Sequence, residues 1–300
     1  MRVFLTGATG FIGSHVIPEL IDAGHHVVGL TRSEAGGRVL EAAGAEAYFG
    51  TLEDPAGLAS GAANADAVIH TAFDHDFAHF VENCEKDRRV IEALGDVLAG
   101  SDRPFIITSG VGFGSPHPGA IATEDVYNRD HHNPRLTEVA GETVAARGVS
   151  VAVVRLPQVH DPVKQGLITW SIGIAREKGL SAYIGDGSNR LSAAHISDVA
   201  RLYRLALDHH TAGARWHAVD EEGVPLHEIA QAIGAGLGVP VKSLTPDEAA
   251  AHFGGFAAFA AMDLPASSAL TRERLGWKPT GPSLMADLHA MDYGLAAAAA

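Results

Sequence analysis

A glycine run near the start of the chain, Gly7-Ala8-Thr9-Gly10-Phe11-Ile12-Gly13, narrows the choice of folds more than anything else in the sequence. It follows an apolar run at residues 3–6 and precedes a helical pattern at 12–23 that Gly24 closes. Glycine at these steps permits a tight strand-to-helix turn and close approach of a ligand to backbone. The helix start then offers N–H groups with no intrahelical acceptor and the positive end of the helix dipole. Gly7, Thr9, Gly10, Phe11, Ile12 and Gly13 are therefore expected to cradle the diphosphate of a dinucleotide.

Further β-type runs at 26–30, 45–49, 67–71, 105–109 and 149–156 alternate with helical patterns, notably 87–99 and 135–147. Mostly unbroken apolar strands alternating with helices predict an α/β chain with a doubly wound parallel sheet covered on both faces. Ligands of such sheets lie off the carboxyl ends of the strands. After Arg155 the pattern loosens around Pro157, Pro162, Gly166 and the Gly185-Asp186-Gly187 turn. Residues 1–156 are read as the dinucleotide-binding unit. Residues 157–295 are read mainly as a smaller substrate lobe, with segments of about 191–219 returning to the main sheet.

The 22 basic and 36 acidic residues leave a formal charge of −14, which opposes nonspecific binding to nucleic acid or anionic membrane. Cys84 is the only cysteine, so no intrachain disulfide and no cysteine-based zinc cage is expected. No apolar window reaches the ~18 residues of a membrane span, and the opening MRVFLTGATGFIGSHV has no secretory pattern. A cytoplasmic protein with a small-molecule substrate is the expectation.

A site for the 2′-hydroxyl of NAD places an acid about 20 residues beyond the glycine run, at the end of the second strand. Here Thr31-Arg32-Ser33 stands instead. A guanidinium flanked by hydroxyls suits a 2′-phosphate, so NADP is expected over NAD.

GATGFIGS at 7–14, Val68-Ile69-His70-Thr71-Ala72, Ile107-Thr108-Ser109-Gly110, Arg155-Leu156-Pro157-Gln158-Val159, the run from Gly185 to Ala200 and Leu275-Gly276-Trp277-Lys278-Pro279 resemble segments of one family. That family is the short-chain dehydrogenase/reductase superfamily, in its extended and atypical branch of NAD-dependent epimerase/dehydratases. The resemblance implies a Rossmann-type sheet with a C-terminal substrate lobe. It implies cofactor contacts from Leu52, Thr71, Ala72, Pro157 and Gln158, a catalytic role for Ser109, and homodimerisation through helices 87–99 and 135–147.

The chain departs from the family at the acid/base pair. With Glu142 set on the family's glutamate, Pro134 stands where the Tyr-x-x-x-Lys tyrosine belongs and Glu138 where the lysine belongs. Asn133 as N-cap and Pro134 in the first turn would still open a sound helix. Two readings follow. In one, a substitute donor, Tyr127 or His131, serves a reductase of a carbonyl or imine. In the other, the site holds NADP without chemistry, as a redox sensor. A nucleotide-sugar epimerase or dehydratase ranks third, because that chemistry leans on the missing pair.

Phe73, His75, Asp76, His160 and Arg190 are candidate substrate contacts. His75 and His79 have the i, i+4 spacing of a helical metal pair, but no second ligand cluster accompanies them, and no metal is expected. Phe253, Phe256 and Phe259 read as a buried helical stripe.

Overall fold

The computed structural model describes residues 1–129 and 133–294. The first half runs β1 (Arg2–Thr6), α1 (Phe11–Asp22), β2 (His26–Thr31), α2 (Glu34–Ala42), β3 (Glu46–Phe49), α3 (Pro55–Ala62), β4 (Ala67–His70), α4 (Phe80–Leu98), β5 (Pro104–Gly110), α5 (Thr137–Ala145) and β6 (Ser150–Leu156). The second half runs β7 (Gln158–His160), α6 (Ile168–Lys178), β8 (Ser181–Ile184), β9 (Arg190–His195), α7 (Ile196–Asp208), β10 (Arg215–His217), β11 (Glu221–Pro225), α8 (Leu226–Leu237), β12 (Val241–Leu244), α9 (Pro246–Phe253), α10 (Ala257–Ala260), α11 (Ala269–Leu275) and α12 (Leu284–Ala290).

Among the described residues, seven parallel strands form the main sheet in the order β10-β6-β5-β4-β1-β2-β3. The strand order reverses at β1, between β2 and β4, which sets the ligand crevice off the carboxyl ends of β1 and β4. Alternation along each strand feeds two cores. Val3 and Leu5 pack with Val16, Ile17 and Leu20 of α1 and Tyr203 of α7. Phe4, Val68 and Ile107 pack on the other face with Ile91 and Leu94 of α4 and Val144 of α5.

β7, β9 and β11 form a separate three-stranded sheet, and β8 pairs with β12. The 191–219 segment thus divides, with β9 in the small sheet and β10 at the edge of the main one. α6, α8 and α12 enclose the core of the C-terminal lobe.

Two helix starts differ from the sequence reading. α5 begins at Thr137 with Leu136 as its N-cap, because Asn133 turns its side-chain oxygen onto the Arg135 N–H instead of capping a helix. α4 begins at Phe80, well before residue 87, after a one-turn 3-10 segment at Phe77–His79. Its Phe77 and Phe80 pack on Phe259 of the C-terminal lobe, a contact that no local pattern displays. The expected stripe at 253, 256 and 259 is split between the end of α9, a 3-10 turn and α10.

Candidate functional site

The turn from β1 into α1 is built for close approach. Gly7 has φ 68°, and a Cβ there would lie 2.7 Å from Thr71 Oγ1 and 2.8 Å from the Ala72 nitrogen. A Cβ on Gly13 would lie 2.2 Å from the Gly7 carbonyl oxygen. No side chain caps α1 at Gly10, and no acid stands in its first turn. The first helical hydrogen bond comes from Ser14, so the N–H groups of Phe11, Ile12 and Gly13 are left for an anion. These residues fit the diphosphate of a dinucleotide. Thr9 is exposed beside them. Lys164, which the sequence reading missed, brings its ammonium within 5.9 Å of the Phe11 ring. Asp161 orders that loop by accepting from the N–H groups of Val163 and Lys164.

At the end of β2, Thr31 is buried and contacts Ser33. Arg32 is exposed and makes no ion pair or hydrogen bond among the described residues. Ser33 caps α2 by accepting from the Gly36 N–H at 3.1 Å, which leaves its own proton free to donate. Leu52 is half-buried and packs against the core cluster that includes Val28 and Leu30 of β2.

The loop after β4 forms the next wall. Thr71 donates to the Thr6 carbonyl at 2.8 Å, and the Ala72 N–H reaches Thr6 Oγ1 at 3.3 Å. Beneath them a buried polar chain crosses the fold. Thr6 joins His70 at 2.7 Å, His70 joins Asp87 at 2.9 Å, and Thr137 donates to the other Asp87 oxygen. Burial alone would raise the Asp87 carboxyl; the His70 and Thr137 hydrogen bonds and the charges of His70 and Arg135 hold it below the usual range. The chain ties the phosphate loop to the start of α5.

Phe73 and His75 lie ring to ring at 5.0 Å, and Phe77 follows at 6.5 Å from His75. His75 keeps open surface, yet protein crowds its ring, and with the charges of Arg135 and Lys164 this pushes the imidazole down to about 4. Asp76 is exposed and pairs with His79 at 2.8 Å. The pair His75 and His79 does not share a helical face, since residue 75 precedes the 3-10 turn. No metal-holding group of three ligands occurs among the described residues.

Ser109, near the end of β5, is buried with a hydroxyl that has no partner among the described residues. Such a group costs roughly 1–3 kcal/mol unless a bound molecule satisfies it. One residue earlier, the Thr108 carbonyl accepts from Arg135 at 3.1 Å. Glu138, at the lysine position, is locked in a buried ion cluster. Arg155 grips it at 2.7 and 2.9 Å, and Arg215 adds a bond at 2.8 Å. Arg155 is 0% exposed. Burial alone would raise the Glu138 carboxyl, but the two arginines hold it low. Tyr127 lies against the same cluster, with its ring 4.6 Å from the Arg215 guanidinium and 6.0 Å from that of Arg155. Burial and the nearby glutamates raise its pKa, so the phenol keeps its proton. His131 lies outside the described residues.

Three remaining candidates are committed elsewhere. Gln158 donates its amide to the carbonyls of Gln165 and Val159, while its oxygen is buried without a partner beside the half-buried Pro157. His160, expected at the pocket border, is fully buried and pairs with Asp287 at 2.7 Å. Arg190, expected as a candidate anion ligand, is held by Asp263 at 2.8 and 3.0 Å. Neither partner was legible, because Asp263 and Asp287 are far away in sequence. The cleft cations Arg135 and Lys164 escaped notice for a different reason: a lone cation in a loop carries no spacing signal.

The family profile described as NAD dependent epimerase/dehydratase family matches residues 3–219. An uncharacterized protein of Schizosaccharomyces pombe is 48% identical over 295 residues, covering 98% of this chain and 100% of that protein. A sterol-4-alpha-carboxylate 3-dehydrogenase, decarboxylating, of Dictyostelium discoideum is 29% identical over 241 residues, covering 74% and 72%. In fold, the chain matches the UDP-glucose 4-epimerase of Thermus thermophilus solved in complex with NAD, with a TM-score of 0.73 over 100% of both chains at 18% identity. No helix among the described residues is long and apolar enough to cross a membrane. The cradle at the first strand-to-helix turn and a profile match over most of the length agree: this chain belongs to the NAD-dependent epimerase/dehydratase family.

Proposed function

We propose that the chain is an NADP(H)-dependent oxidoreductase that acts by hydride transfer on a small carbonyl-type or imine substrate. When bound, the nicotinamide supplies or accepts the hydride. The observation that carries the reading is the Ser109 hydroxyl, buried and unpartnered at a strand end that borders the cleft. It can hold the reacting oxygen or nitrogen of a substrate. NADP is preferred because the exposed Arg32 makes no ion pair among the described residues and the Ser33 hydroxyl accepts from Gly36 with its own proton left to donate. Tyr127 is the proton donor in this scheme. Its raised pKa keeps it protonated, and it lies by Arg155, the register partner of Ser109 on β6.

A second reading, a noncatalytic NADP sensor, draws support from the immobilised Glu138 in the lysine's place. One set of measurements separates the two. Calorimetry should give tighter binding of NADPH than of NADH. NADPH oxidation over a panel of aldehydes, ketones and imines should then reveal turnover that collapses in Ser109→Ala and falls in Tyr127→Phe. Tight NADPH binding with no turnover across the panel would hand the protein to the sensor reading.

A further inference from the structure

The family's missing lysine removes a positive charge from the reacting end of the cleft, and Glu138 does not replace it. Arg135, three residues earlier, is a cation held close to the end of β5. Its guanidinium lies 4.1 Å over the Phe73 ring, Nη2 donates to the Thr108 carbonyl at 3.1 Å, and Nε donates to Thr137 Oγ1 at 3.0 Å. Its own N–H is held by Asn133 at 3.0 Å, and Thr137 is tied in turn to the buried Asp87. The fork is therefore fixed from three sides: the loop after β4, the end of β5 and the start of α5.

Arg135 differs from the other arginines around the cleft. Arg155, Arg190 and Arg215 each grip a carboxylate. Arg135 is half-buried and has no carboxylate at ion-pair distance among the described residues. The Asp87 charge reaches it only through the Thr137 hydroxyl, and an oriented guanidinium with no direct carboxylate contact, in partly desolvated surroundings, attracts an anionic or strongly polar oxygen. The second observation is Ser109. It follows Thr108 on the same strand, and its buried hydroxyl lacks a partner. The rest of the wall is aromatic. Phe73 meets Phe80 at 5.8 Å, and Phe77 bridges to Trp170 at 5.1 Å and Phe259 at 4.8 Å, joining the two lobes.

We propose that Arg135 and Ser109 form an oxygen-binding subsite for a planar, apolar carbonyl compound, with the aromatic wall covering its unsaturated or aryl portion. The inference rests on the reading of the cleft as a nicotinamide-dependent carbonyl site and adds a catalytic residue and a substrate class to it. As hydride arrives at the carbonyl carbon from reduced nicotinamide, the C=O π pair moves onto oxygen. Arg135 stabilises that negative charge. The phenol proton of Tyr127 completes the alcohol, and water reprotonates the phenol.

The test uses the full chain loaded with NADP+ and cinnamate as a nonreacting planar carboxylate. Calorimetry is expected to show cinnamate binding to wild type, weakened at least about tenfold in Arg135→Met and less in Arg135→Lys. Added guanidinium ion should recover part of the binding in Arg135→Met. NADP+ affinity should stay within about threefold of wild type, which also reports that the variant is folded. Cinnamate binding that is absent in wild type, or equal in Arg135→Met, overturns the inference. So does a parallel loss of NADP+ affinity, which would make Arg135 a cofactor ligand. Arg135-dependent cinnamate binding without any carbonyl turnover would support the subsite and refute the reductase.

Discussion

The two ends of the cleft follow different rules. At the β1–α1 turn, what is offered to a ligand is backbone: glycines clear space and a bare helix start presents N–H groups. At the β5–α5 end the groups on offer are side chains: a buried Glu138–Arg155–Arg215 cluster, and Arg135, which has no carboxylate at ion-pair distance among the described residues. A backbone cradle can be changed only by altering glycines. A side-chain site can be rebuilt by moving one charge across a helix turn.

The contrast can be broken most forcefully at Glu138. Glu138→Ala leaves Arg155 buried and uncompensated, which should cost about 3–5 kcal/mol of stability in urea unfolding. Glu138→Lys should fare no better and should gain no activity over wild type, because it would set a third cation against Arg155 and Arg215. A stable, active Glu138→Lys would show that the lysine site is intact after all.

At the other end, Gly13→Ala places a Cβ against the Gly7 carbonyl. The loop must shift, and dinucleotide affinity should fall about a hundredfold, or ~2.7 kcal/mol, by calorimetry. Wild-type affinity in this variant would mean that the diphosphate lies elsewhere.

Acid should weaken the β5–α5 end. His217 is buried against Arg155, and burial followed by that charge pushes it down to about 3. The unfolded chain therefore takes up a proton near its ordinary 6.5 while the folded one does not. Stability from this residue is complete above that pH and drains as pH falls. Between about pH 7.5 and about pH 5 the loss is on the order of 2 kcal/mol. Thermal melts should record it, and His217→Gln should remove this share of the loss while leaving the share of His75, which is also held low. Glu138, held low, adds a further loss only once pH drops below its ordinary 4.5. The smallest effect is expected from Arg32→Ala, a roughly tenfold weakening of NADPH binding with NADH unchanged. Equal losses for both would remove the 2′-phosphate assignment.

Much of the sheet was legible because each strand of the first half is a short apolar run bounded by turn residues, as at Val3, Phe4 and Leu5. The start of α5 was not. Asn133 and Pro134 read locally as a cap and first turn, yet Asn133 spends its oxygen on Arg135, whose fork is drawn toward β5 and Phe73. Arg190 illustrates the same limit, since an arginine after a Gly-Asp-Gly turn reads as an anion ligand until Asp263 is seen beside it.

By itself the sequence determined the glycine-rich strand-to-helix turn, the parallel α/β plan and the absence of any Tyr-x-x-x-Lys run. Each of these is a local pattern or a residue type, set by backbone freedom and periodicity. Only the tertiary structure decided which charges are spent and which are free. Arg155, Arg190 and Arg215 meet carboxylates from distant segments, whereas Arg135 meets a carbonyl, a hydroxyl and a ring. Electrostatic pairing depends on a few ångströms between groups far apart in the chain, and no linear spacing encodes that distance.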